Sequence, residues 1–146
     1  MANSPNYMAN GNILPSVFVQ IDTAGTGQTA DPAYSKVIAA ASGSQPVGVS
    51  QAGTKYTPVT GVTDVNAAEA GDMVQVFGEG ESQVLLLLTG SVAAGQLLKP
   101  DATGNGTAIA VNMSGGGAQY YGARAEEYGV AGEKIRVQVE FGFITT

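Results

Sequence analysis

Short runs with an apolar residue at every second position, separated by Gly, Thr, Asn and Pro, make up most of this chain. The clearest is Lys134 to Phe143. Ile135, Val137, Val139 and Phe141 fall on one face there, and Lys134, Arg136, Gln138 and Glu140 on the other. That is the period of a strand with one buried and one wet face. Val17–Phe18–Val19–Gln20–Ile21 repeats it with Val17, Val19 and Ile21 in phase. Tyr34–Ala39 predicts a further strand, although Ala39–Ala40–Ala41 leaves a short helix open. Gln45–Ser50 predicts another, with Gly48 where a side chain would crowd a neighbour. From Gln51 to Ala68 the pattern loosens into a surface excursion with one short strand near Tyr56–Val59.

Met73 to Phe77 is a strand, and Gly78–Glu81 turns the chain into Gln83–Leu88. The apolar run Val84–Leu85–Leu86–Leu87–Leu88 is continuous rather than alternating. It implies burial on both faces, inside a core or beneath a subunit contact, and marks Leu85 and Leu87 as subunit-contact candidates. Gln96–Lys99 is a short strand. Pro100–Thr107 is a tight turn in which Asn105–Gly106 favours a type I′ hairpin. Thr107–Val111 leaves that turn as a strand, a Gly-rich loop follows, and Tyr120–Ala125 precedes the last strand.

One signature occurs twice. Ala70–Gly71–Asp72–Met73–Val74–Gln75–Val76 and Ala131–Gly132–Glu133–Lys134–Ile135–Arg136–Val137 agree in kind at every position, 61 residues apart. Each is a turn glycine, an acid and then an alternating strand. Ala94–Gly95 is a third such strand start, and the mid-strand Gly122 echoes Gly48. The pattern predicts an all-β fold with little helix, a compact β-barrel or β-sandwich built from related halves. Residues 1–15 show neither period. They are Asn-rich with spaced apolar anchors at Tyr7, Met8, Ile13 and Leu14, which suits a disordered tail or an extended N-terminal arm that orders on a partner. The expected organisation is therefore an arm over 1–15 and one β domain over 16–146.

Composition narrows the function. Asp plus Glu number 12 against 6 Lys plus Arg, a net charge of −6, and only 12% of residues are charged. Nucleic-acid binding, which relies on cations displacing counterions from phosphates, is disfavoured. A cation-poor surface of small polar and apolar groups suits packing against protein. The chain has no Cys, His or Trp. That excludes disulfides, Cys/His zinc sites and Ser–His–Asp triads. No apolar run approaches the ~20 residues of a membrane helix, and the N-terminus lacks the basic and apolar regions of a signal peptide. The expected product is soluble as made, without membrane partner, cofactor or metal.

The only plentiful acid–base groups are carboxylates, Glu69, Asp72, Glu79 and Glu81 in one group and Glu126, Glu127 and Glu133 in another. A glycosidase pair could come from them, but their place in strand-flanking turns favours a solvated role, so no catalytic residue is assigned. Asp101–Gly106 has some oxygen ligands of a calcium loop. Thr103 and Asn112 stand where a calcium loop places acids or Asn and a glutamate, and a hairpin turn is preferred. Asp22–Gln28 has two glycines but no following Lys-Ser/Thr or helix, so it is a loop rather than a phosphate cradle.

Taken in order, five segments resemble the small head decoration, or cement, proteins of tailed bacteriophages. They are Pro46–Val47–Gly48–Val49, Ala70–Gly71–Asp72 with its strand, Val92 to Gly104, Tyr121 to Glu126, and Ala131 to Val137. The likeness spans about residues 45 to 141, with a gap at Gln51–Ala68. It implies a non-enzymatic β protein that binds the major capsid protein on the outer surface of an icosahedral head and stabilises the head against internal DNA pressure. It also implies a homo-oligomer, with a trimer favoured, located in the virion and made in the host cytoplasm. On this view Tyr7, Met8, Ile13 and Leu14 are the capsid-binding candidates. The alternative is an externally displayed adhesive module that binds a host glycan, which would be favoured by Tyr34, Tyr56, Tyr120 and Tyr121 sharing one exposed face.

Overall fold

The protein is described by a computed structural model over residues 6–22, 36–41, 43–50, 68–69, 71–108 and 118–145. The described residues are all-β and hold no helix. Five strands form a closed barrel: β1 (Asn6–Ala9), β2 (Phe18–Ile21), β3 (Lys36–Ala39), β4 (Gly48–Ser50) and β5 (Met73–Phe77), in the order β1-β3-β2-β4-β5. Five more form a second sheet: β6 (Val84–Leu87), β7 (Leu97–Pro100), β8 (Gly106–Ala108), β9 (Ala118–Ala125) and β10 (Lys134–Thr145), in the order β6-β10-β9-β7-β8. Its two outer strands meet through a parallel bridge between Leu88 and Gly106.

The second half is the first over again, rung for rung. In the first half β1 runs parallel to β3 through Ala9↔Val37, the counterpart of Leu88↔Gly106. Phe18↔Val49 and Val19↔Gly48 join β2 to β4, as Leu97↔Arg124 and Leu98↔Ala123 join β7 to β9. Ser50↔Val76 becomes Ala125↔Val137, and Tyr7↔Val74 becomes Leu86↔Ile135. The isolated bridge Ile13↔Ala68 recurs as Val92↔Gly129. The echo expected between Gly48 and Gly122 is thus displaced by one residue. Gly48 stands at the rung of Ala123, and Gly122 at that of Val47.

The repeated glycine–acid signature has a local cause. Gly71 (φ 91°) and Gly132 (φ 87°) occupy turns that need positive φ, which glycine adopts without steric cost. Each donates its N–H across the barrel, to the carbonyls of Ala9 and Leu88 at 2.9 Å. The following acid reaches back three residues: Asp72 Oδ2 accepts from the Glu69 N–H and Glu133 Oε1 from the Val130 N–H, both at 2.9 Å. Gln96 does the same for Ala93 at 2.7 Å, beside Gly95 at φ 88°. At the matching position the first half has Ser16, a non-glycine at φ 61°.

The two cores fill the same frame differently. Ala9, Ile13, Val17, Val19, Val37, Ala68, Val74 and Val76 form the first. In the second, Leu88 replaces Ala9 while Gly106 and Gly129 replace Val37 and Ala68. A methyl group at Gly129 would lie 2.7 Å from Leu88 Cδ1 and 2.4 Å from Ile135 Cγ2, and one at Gly106 would lie 2.6 Å from Leu86 Cδ2. Larger side chains have taken the space that smaller ones vacate, as close packing demands. Phe18, Ala40 and Val49 turn away from the first core and pack into the second. Backbone bonds from Leu87 N–H to the Ser16 carbonyl and from Phe18 N–H to the Gly104 carbonyl, each 2.8 Å, hold the halves together.

Several expectations change. Residues 6–9 of the expected arm form β1, paired to both β3 and β5, and Ile13 is fully buried in the first core. The Asn-rich composition concealed a strand in which Tyr7 and Met8 are both half-buried and Ala9 is buried, without strict alternation. Val84–Leu88 is not buried on both faces. Val84, Leu86 and Leu88 point inward, while Leu85 is 48% exposed. The β7–β8 turn bends at Gly104 (φ 90°), not at Asn105–Gly106. Asp101 N–H donates to the Asn105 carbonyl at 2.8 Å, leaving a three-residue loop of Ala102, Thr103 and Gly104. Residues 36–39 are β3, without a helix into 40–41. The strand expected near Tyr56–Val59 lies outside the described residues.

Candidate functional site

A groove of about 640 Å³ lies at one end of the first half. Tyr7 from β1, Gln20 and Ile21 from β2, residues 44–47 before β4 and Phe141 from β10 line it. Tyr7, Ile21 and Val47 are half-buried apolar residues packed on the first core, so the groove floor is the outer layer of that core. Among the described residues none that lines it is ionised, in a chain of net charge −6. Gln20 Oε1 accepts from the Ala41 N–H at 2.9 Å and Ser44 Oγ donates to the Ala41 carbonyl at 2.6 Å, which fixes one wall.

The second half treats the same positions differently. Leu86 and Gly122, at the rungs of Tyr7 and Val47, are buried. A methyl group at Gly122 would lie 2.5 Å from Pro46 Cγ and 2.7 Å from Phe18 Cε1, so the first half's Phe18 ring rests directly on the backbone there.

A second feature is a ribbon with no counterpart among the described residues of the first half. After a bulge between Val139 and Gly142, β10 continues to pair with β9 through Gly142↔Tyr121, Phe143↔Tyr120 and Ile144↔Gln119. Phe143, 59% exposed, and Tyr120 stack at 5.9 Å with their rings tilted by 57°. Tyr121 lies elsewhere, its ring over Gly142, where a methyl group would come 2.4 Å from the hydroxyl oxygen. Tyr34 and Tyr56, the other two aromatics expected on that face, fall outside the described residues.

The remaining candidates separate into three groups. Tyr7 is in the groove, and Met8 beside it on β1 is half-buried. Ile13 is sealed in the core and cannot meet a partner, whereas Leu14 next to it is exposed. Leu85 and Leu87 face outward on β6, opposite Arg136 and Lys134 of β10, and the Leu87–Ser16 bond brings the 14–16 segment alongside them. Of the groove residues only Tyr7 had stood out in the sequence. Ile21 and Phe141 read as ordinary strand positions, and Pro46 and Val47 as the start of a short strand rather than as binding residues.

The carboxylates hold turns and strands. Asp72 and Glu133 cap turns as described. Glu79 Oε2 accepts from the Phe141 N–H at 3.0 Å, and Glu126 Oε1 from the Gln83 N–H at 2.8 Å. Glu127 pairs with Arg136 at 2.8 Å, and Glu140 with Arg124 at 3.0 Å. The side-chain and backbone hydrogen bonds from Arg136 hold Glu127 below the ordinary carboxylate range. Partial burial pushes Asp101 up, but hydrogen bonds from the Thr103 N–H and hydroxyl, the Thr89 hydroxyl and the Asn105 N–H outweigh it and leave Asp101 low. Asp101 Oδ1 alone accepts three of these bonds at 2.8–2.9 Å, so it organises its hairpin rather than an ion. Asp22, at the equivalent position, is buried and accepts from Asn10 Nδ2. No group of three or more acidic residues able to hold a metal occurs among the described residues.

No family model matches the chain, and no curated protein sequence matches it. Its fold is similar to a solved structure, the N base of head fiber gp8.5 of bacteriophage phi29. The TM-score is 0.59 and the identity 14%, over 96% of this chain and 95% of that one.

Proposed function

We propose that this chain is a structural, non-enzymatic component of a bacteriophage head. It binds the major capsid protein on the outer surface of the shell and acts as a cement that resists internal DNA pressure. The observation that carries the reading is the similarity, over nearly the whole of both chains, to a phage head fiber base. The ordered motifs that resemble head decoration proteins support it from the sequence. So does the use of carboxylates as turn and strand ligands instead of a converging pair. In this reading Leu85 and Leu87, with Leu14 beside them, meet a neighbouring copy, and a trimer multiplies weak shell contacts into avidity.

The test is to add the purified protein to expanded heads that lack it, then sediment and image them. Density at symmetric exterior positions and greater resistance of the heads to heat are expected. Failure to co-sediment would remove the reading. One observation favours a second reading, a glycan-binding module: the Tyr120–Phe143 pair is exposed and could stack on a sugar. Specific signals on a glycan array, lost in Y120A, would favour it.

A further inference from the structure

The two halves share one frame, so what fills an opening in one half is a template for what fits its counterpart. The end of the second half near Gly104 and Gly122 is closed by Phe18. That side chain is carried on a strand and is 0% exposed. Its ring lies on Gly122, and its N–H bonds to the Gly104 carbonyl at 2.8 Å. Leu86 and Pro100 are buried in this half. Among the described residues the corresponding end of the first half is uncovered. Tyr7 and Ile21 stand at the rungs of Leu86 and Pro100, Val47 at that of Gly122, and all three line the open groove.

We propose that this groove receives an extended segment of the capsid protein. The segment inserts one large apolar side chain against Val47 and Ile21, as Phe18 inserts against Gly122 within the chain. The proposal rests on the reading of the protein as a shell-binding component and names the contact. An uncharged lining selects an uncharged apolar segment. A second copy repeating the internal stacking would present Leu97 and Arg124 in place of Phe18 and Val49. Arg124 is an exposed cation already paired to Glu140, so the equivalent wall does not match the groove. That stacking therefore does not supply the occupant, which we assign to the shell the protein binds.

The absence of cysteine makes the test clean. Gln45→Cys, on the exposed rim, and Gln138→Cys, on the outer face of β10, are each labelled with a photoreactive maleimide in the full chain and added to heads. Position 45 is expected to yield adducts with a capsid-protein peptide containing a large apolar residue, and position 138 to yield none of them. Val47→Glu is expected to weaken binding at least about tenfold, because a carboxylate would be desolvated by the incoming side chain. Thermal unfolding of V47E reports whether it folds, and the crosslinking decides the matter if it does not. Unlabelled protein that binds heads while position 45 gives no capsid adduct overturns the groove and leaves the broader reading standing. Adducts between two copies through position 45 overturn the choice of occupant. Absence of binding by the wild type overturns both.

Discussion

The first half and the second half have the same strands on the same rungs, yet almost no rung carries the same side chain in both. Where Ala9, Val37 and Ala68 share the load in one, Leu88 does so alone in the other, over Gly106 and Gly129. Where Ser16 holds a left-handed turn in one, Gly95 holds it in the other. Ser50 stitches the first turn by donating its hydroxyl to the Leu14 carbonyl at 2.7 Å; Ala125 at its rung has no hydroxyl, and Gln96 ties the second turn instead. What persists is the pattern of backbone bonds and positive-φ turns. A small barrel of this type is specified by its turns and by the total volume of its core, and only loosely by which strand supplies the volume.

The comparison can be broken most forcefully at Leu88. L88A should cost about 2–5 kcal/mol, and G129A about 1–3 kcal/mol through overpacking. G129A in the L88A background should cost less, the contact with Ile135 Cγ2 at 2.4 Å remaining. Urea unfolding of the four-member cycle reads the coupling, and equal costs in both backgrounds would end the idea that Leu88 replaces the missing methyl groups. Next comes G48A. Its methyl group would lie 2.2 Å from the Phe77 carbonyl oxygen and 2.4 Å from Val76 Cγ1. A loss of about 1–3 kcal/mol is expected, against about 1 kcal/mol for A123G on the matching rung. Opposite signs are expected at the shared left-handed turn. S16G should gain about 0.5–1 kcal/mol and G95A lose about 1–2 kcal/mol, since only glycine adopts that backbone freely. A calorimetric midpoint that falls for S16G would show that the serine side chain matters more than its backbone.

The smallest effect is that of acid on Asp101. Its carboxyl titrates lower in the folded chain than in the unfolded one. Its contribution is therefore fully present above the unfolded value, about 3.9, and disappears as pH falls through the lower folded value. D101N should lose less stability than the wild type as pH is lowered below about 4. Parallel curves would show that the hydrogen bonds at this turn do not depend on charge.

The paired halves were legible because their strongest signal, the glycine–acid start of β5 and β10, is set by local backbone geometry that leaves a residue-level mark. Inward Val17 just before β2, Val19 on β2 and Ile135, Val137 and Val139 on β10 were legible for the same reason, a two-residue period over a buried face. β1 was not, because its apolar residues lie among asparagines and its partners are 28 to 69 residues away along the chain. Nor was the alternation of β6, since a large aliphatic side chain at every position hides which side is wet. The full extent of the repeat escaped because Ser16 and Gly95, or Ala9 and Leu88, are alike in place and unlike in kind. The groove shared that fate, since its identity depends on knowing which residue of the other half occupies the matching rung.

The bonds joining Leu87 to Ser16 and Phe18 to Gly104 have a mechanical consequence. They run between backbones and are flanked by Phe18, Ala40 and Val49 embedded in the opposite core, so a tug on either barrel is felt at once by its twin. The described residues of the two halves should therefore yield as a single block under load.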